Sequence, residues 1–207
     1  MIFKLFKTKN TWQHKDVNIR ISAINEQLKS ESTEDKAILL SLLNSDESEL
    51  VRRAVLLKLN SFDEYLNASN HNDNKKIQAF AGSQVEEILS GKHKLVLPLN
   101  KKQYFLSTLT ESNQHTSSNI TLLNFWLEHE VEPSLIASLF DALIAKKNVA
   151  QFLLQVFSKK QIIEVQKHLL SLELKELNDL SLLTKLSKKA INEEVSQLIS
   201  DRLVQIA

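Results

Sequence analysis

Ser48-Glu49-Leu50-Val51-Arg52-Arg53-Ala54-Val55, preceded by Leu42-Leu43-Asn44-Ser45-Asp46, has a counterpart upstream in Asp16-Val17-Asn18-Ile19-Arg20-Ile21-Ser22-Ala23. Each copy runs from an acidic or polar cap through an aliphatic-Arg pair into small and aliphatic residues. Arg20 and Arg52 stand 32 positions apart. A period of that size marks an array of helical repeats. Such arrays serve as binding surfaces far more often than as catalysts.

Composition points the same way. The 207 residues include only two glycines, Gly82 and Gly91, and two prolines, Pro98 and Pro133. Strand-and-turn folds need such residues at their corners, so a chain this poor in them is predicted to be all-α. A hydrophobic share of 43% is enough to build a core and excludes global disorder. The charge balance is flat, with 26 basic against 25 acidic residues, so no polycationic grip on nucleic acid is advertised. The chain has no cysteine, which removes disulfides, thiolate catalysis and cysteine-based zinc sites and fits the cytoplasm. Asp141 interrupts the longest apolar run, residues 134–145, before it could span a membrane. No secretory signal is read at the N-terminus.

Spacing of apolar residues places helices near 16–28, 33–43, 48–59, 62–66 and 75–90. In the third of these, Leu50, Ala54 and Leu57, with Val51, are expected to face inward. Ile77-Gln78-Ala79-Phe80-Ala81 is a candidate third copy of the repeat that lacks the Arg. Residues 91–100, with Leu95-Val96-Leu97-Pro98-Leu99, read as an extended connector. Further helices are expected near 101–111, 119–130, 133–147, 149–157, 159–171, 173–186 and 188–205. The chain thus divides into a basic lead (1–11), repeats (12–90), the connector (91–100) and further stacked helices (101–207) continuous with the first part. In the lead, Ile2, Phe3, Leu5 and Phe6 alternate with Lys4, Lys7 and Lys9. These residues are expected to close the open end of the first repeat, rather than to make a weak membrane contact through residues 2–9.

Leu42 to Leu59 resembles a HEAT-type repeat, in which an acidic residue shortly precedes a Val-Arg pair followed by Ala and Leu. The matching residues are Asp46, Val51, Arg52 and Ala54 or Val55, and upstream Asp16, Ile19, Arg20 and Ala23. The resemblance covers about residues 12–90. It implies an α-solenoid, a right-handed superhelix of antiparallel helix pairs, in which the Asp and Arg tie neighbouring repeats together. The start of the chain also resembles the N-terminal part of large, uncharacterised bacterial proteins in which a HEAT-like region precedes long charged helices. That likeness implies no activity.

Two constellations compete with a purely structural reading. Asn74-Lys75-Lys76, Asn100-Lys101-Lys102, Ser158-Lys159-Lys160 and Ser187-Lys188-Lys189 each put a capping residue before two lysines at a predicted helix start. Cations there oppose the helix dipole at about 0.3–1 kcal/mol each. If these ends share an edge, they would attract phosphates. Otherwise they are ordinary screened surface charge. Glu164 and His168 stand four apart on a predicted helix, as two ligands could, but the spacing is also that of an exposed pair. Glu128-His129-Glu130 reads as a solvated helix end. Arg20 and Arg52 are expected to pair with Asp16 or Asp46 between repeats. The expected function is a non-catalytic scaffold or adaptor that binds a protein along the helical surface, without cofactor or metal. The alternative is a nucleic-acid-binding module that uses the Lys-Lys pairs.

Overall fold

The computed structural model describes residues 10–111, 117–144, 149–174 and 177–206. The basic lead through Lys9, His115 and residues 145–148 lie outside the described residues. Of the described residues 78% are helical, and none forms a strand. The chain divides into two compact units, Met1–Leu97 and Pro98–Ala207.

In the first unit a 3-10 turn, Thr11–Gln13, precedes helices α1 (Val17–Gln27), α2 (Thr33–Ser45), α3 (Glu49–Leu59), α4 (Phe62–His71) and α5 (Lys75–Leu89). Side-chain caps fix three of the starts. Asp16 accepts from the Asn18 amide, Ser32 from that of Asp35, and Asn74 from those of Lys76 and Ile77. Each bond satisfies an amide that the helix leaves without a partner. Gly91, at φ 71, ends α5: the Lys92 amide reaches back to the Glu87 carbonyl, as a left-handed residue after a helix allows. Packing follows two patterns. Sequential helices pair, α2 with α3 and α4 with α5, while α1, α3 and α5 also lie side by side. Ile24, Leu39, Val51, Val55, Leu56 and Ile77 are fully enclosed between them.

The expected inward set of α3 is corrected here. Leu50 and Leu57 are each 55% exposed, and Val51, Arg52, Val55, Leu56 and Leu59 face the interior with Ala54. The helix is apolar over so wide an arc that hydrophobic spacing allows both rotations. A polar tie at Arg52, described below, selects the one observed. The expected loop at 67–74 is also shorter, because α4 continues to His71.

The second unit comprises α6 (Leu99–Glu111), α7 (Ser117–His129), α8 (Pro133–Ile144), α9 (Val149–Lys159), α10 (Ile163–Glu173), α11 (Leu180–Ser187) and α12 (Glu193–Ile206). The carbonyl of Pro98 accepts from Lys101 and Lys102, so α6 begins earlier than residue 101. Helix α8 packs against α6, α7, α9 and α10, which accounts for the burial of Leu135, Ile136, Leu139, Phe140 and Leu143 on adjoining stripes. Helix α10 continues the row to α12, and α9 packs against α11. Phe105 stacks on Trp126 at 5.7 Å and Phe140 on Phe152 at 5.0 Å. Three starts differ from expectation, since α10 begins at Ile163, α11 at Leu180 and α12 at Glu193 rather than at 159, 173 and 188. Among the described residues, no helix is long and apolar enough to cross a membrane.

The rotation of α3 is testable by paired truncation. Leu56→Ala should cost about 2–5 kcal/mol, as buried leucine truncations do. Leu57→Ala should stay within about 0.5 kcal/mol in the same denaturant titration. Equal losses would mean that α3 is turned the other way.

Candidate functional site

One local device recurs three times in the first unit. At His14, Asp46 and Asn72 the side chain accepts from the backbone amide two residues on: His14 Nδ1 from Asp16 at 3.0 Å, Asp46 Oδ1 from Ser48 at 2.8 Å and Asn72 Oδ1 from Asn74 at 3.0 Å. Six residues on, a side-chain donor returns to the carbonyl of the same residue. Arg20 Nη1 donates to His14 O at 2.8 Å, Arg52 Nε to Asp46 O at 2.6 Å and Gln78 Nε2 to Asn72 O at 2.6 Å. Gln78 therefore stands where the first two copies carry Arg, and its amide keeps half of the job.

Each guanidinium also reaches forward to the next copy. Arg20 holds the Asp46 carboxylate with two parallel bonds, Nε to Oδ2 at 2.8 Å and Nη2 to Oδ1 at 2.9 Å. Arg52 Nη1 donates to Asn72 Oδ1 at 3.3 Å and forms an ion pair with Asp73, whose carboxyl group Arg52 holds below its ordinary range. Fork-on-carboxylate geometry is the strong form of this bond. Arg20 thus pairs with Asp46, whereas Arg52 takes the Asp46 carbonyl and the Asp73 carboxylate. Asp16 caps α1 and meets Arg20 only through the backbone, its carbonyl accepting from the Arg20 amide.

The second unit is tied at equivalent places by other residue types. Lys102 on α6 donates to Glu130 Oε2 at 2.8 Å, in the loop before α8. Glu130 is corrected from the solvated helix end expected: it is 2% exposed and also accepts from Trp126 Nε1 at 2.8 Å and from the Val131 and Glu132 amides at 3.0 Å. Burial pushes its pKa up, but the Lys102 ammonium, those amides and the indole N–H outweigh burial and hold it below the ordinary value. Gln166 on α10, fully buried, donates to Phe157 O and Lys189 O and accepts from the Ile191 amide before α12.

These ties absorb much of the expected lysine edge. Lys102 serves Glu130. Lys159 pairs with Glu128 at 3.2 Å, and Lys160 donates to the Glu128 and Glu130 carbonyls at 3.0 and 2.6 Å. Lys76 pairs with Glu49 at 3.1 Å and Lys75 bonds Gln78 at 3.0 Å. Lys101 is exposed in the first turn of α6. Lys159, Lys160, Lys188 and Lys189 are corrected from helix starts to helix ends, where α9 and α11 finish. There cations complement the dipole instead of opposing it. The missed signal for α12 was Asn192-Glu193-Glu194: Asn192 Oδ1 caps Val195 at 2.9 Å, and the two acids fill the first turn.

His168 lies 3.2 Å from Asp141 on α8 instead of joining Glu164, which is exposed. His129 bonds the Phe125 carbonyl, and His93 accepts from the Leu95 amide. No described group of three or more His, Asp or Glu could hold a metal. Two cavities flank the ties. One of about 600 Å³ lies beside Arg20 and Asp46 with Trp12, Lys15 and Glu47 on its wall. Another of about 280 Å³ lies between α7 and α9, lined by Phe125, Phe152, Glu128 and Lys160. Compared with protein-family models, with curated proteins and with solved structures, the chain finds no significant match in any of the three.

Two experiments address the ties. Arg52→Ala should cost about 3 kcal/mol, since it strands the Asp46 carbonyl in the interior and breaks the link to the loop before α5. Asp73→Ala, which removes only an exposed partner, should leave the melting temperature nearly unchanged. Glu130, with its folded pKa below the ordinary 4.5, contributes stability that is present above that pH and lost as pH falls through the folded value. Acid unfolding followed by Trp126 fluorescence in a Trp12→Phe background should therefore be less steep below pH about 4.5 for Glu130→Gln than for the parent. Identical slopes would remove Glu130 from the pH response.

Proposed function

We propose that the chain is a non-catalytic scaffold or adaptor, a HEAT-like α-solenoid of antiparallel helix pairs that binds a protein partner along its helical surface. The observation that carries this reading is the recurrence of one tie at His14, Asp46 and Asn72. Three alternate helices, α1, α3 and α5, start from the same local frame and lie side by side. Units that contact only their neighbours, each through the same link, are the physics of a repeat array, and the extended face of such an array is a binding surface. The lysines support protein binding over nucleic acid, because Lys76, Lys102 and Lys159 already face carboxylates within the fold.

The test has two arms. Proteins that co-purify with the chain from its source cell are identified by mass spectrometry, expressed, purified and mixed with the chain. A stoichiometric complex on gel filtration is the expected result. A gel-shift titration on duplex DNA and RNA should show no tight band at low salt. A tight shift that disappears on adding salt would establish the nucleic-acid alternative, because phosphate contacts release counterions.

A further inference from the structure

The chain has four arginines, and three are consumed by the fold. Arg20 and Arg52 hold the ties, and Arg202 donates to Leu177 O at 3.1 Å and to Asn178 Oδ1 at 2.8 Å. Arg53 differs. Its side chain forms no ion pair or hydrogen bond among the described residues, and its Nε is buried without an acceptor. The guanidinium carbon lies 5.2 Å from the centroid of the Phe80 ring on α5. Leu50 and Leu57, three residues before and four after, share its face of α3 and are the two exposed leucines of that helix. Neighbouring charges are engaged: Glu49 with Lys76, and Lys58 with the Asn25 carbonyl. A cation without a counter-ion therefore sits on an aromatic ring between two exposed leucines. An arginine among aromatic and aliphatic side chains is the composition of a binding hot spot.

We propose that the Leu50–Arg53–Leu57 face of α3, with Phe80 of α5, docks a protein segment that presents a carboxylate flanked by aliphatic or aromatic side chains. This deepens the scaffold reading and rests on it. The planar fork of Arg fits a carboxylate with two bonds, and the leucines desolvate the pair. A nucleic acid fits this face poorly, since one cation between leucines offers no row of phosphate contacts.

The probe is a phage-displayed library of short random peptides, selected on the intact chain. Enriched peptides are synthesised with a fluorophore and titrated by anisotropy. Enriched sequences should carry Asp or Glu beside apolar residues. Arg53→Gln and Leu57→Asp, each checked for an unchanged melt, should weaken binding about tenfold or more. Converting the peptide's acid to its amide should cause the same loss, and combining it with Arg53→Gln should add little further, since the two changes remove one interaction. Additive losses would overturn the carboxylate assignment. Peptides that bind both variants as well as the parent would overturn this site while leaving the scaffold reading intact. Failure to enrich any peptide would also overturn the site, and the purified-partner mixture separately decides the scaffold reading.

Discussion

A charged guanidinium inside a small helical unit must be surrounded by acceptors, and Arg52 imposes that condition on everything near it. It is 8% exposed and takes the Asp46 carbonyl, the Asn72 amide oxygen and the Asp73 carboxylate. Its acceptors belong to the loops before α3 and α5, so the two loops are held at a fixed separation. The rotation of α3 follows, with Val51, Val55 and Leu56 turned inward and Leu50 and Leu57 left outside. Six polar or charged residues are buried in the described chain, and five of them, Asp46, Arg52, Asn72, Glu130 and Gln166, belong to such loop ties. Hydrophobic burial drives the helices together without direction. Directional polar bonds at one end of each helix then choose among the packings that burial allows.

The all-helical character and the arginine ties of the first two turns were legible because both depend on local signals. Scarce Gly and Pro, a Val-Arg pair after an acid, and spaced aliphatic residues are visible in any short window. The third tie was only half legible. Gln78 and Asn72 perform the same bonds as Arg and Asp, but the consensus names residue types while the tie needs only a donor and an acceptor. His14 was invisible for the same reason, its ring nitrogen replacing a carboxylate oxygen. In the second unit the roles pass to Lys102, Glu130 and Gln166, residue types that share no consensus with the first, so no motif could have exposed them.

The lysine pairs show how a local rule misleads when a boundary is misplaced. Lys159-Lys160 and Lys188-Lys189 looked anomalous only because helices were started at them. With α9 and α11 ending there, the same residues obey the dipole rule. Lys160 even satisfies carbonyls at the end of α7. The decisive cue for the true start of α12 was Asn192 followed by two acids, a weaker pattern by eye than a repeated Lys-Lys.

Successive tie positions His14, Asp46 and Asn72 are unequally spaced in the sequence, yet the device is the same at each. Helices α1 and α3 both have 11 residues and start at the same distance from their tie. The surplus lies on the far side: α2 has 13 residues against 10 in α4, and the turn before α2 is longer than the turn before α4. One edge of the first unit therefore keeps register, while the opposite edge is free to change length. Insertions confined to the turns at 28–32 or 60–61 leave every tie untouched, and this is the edge along which the chain could gain or lose residues, or carry a grafted segment, without losing its stacking.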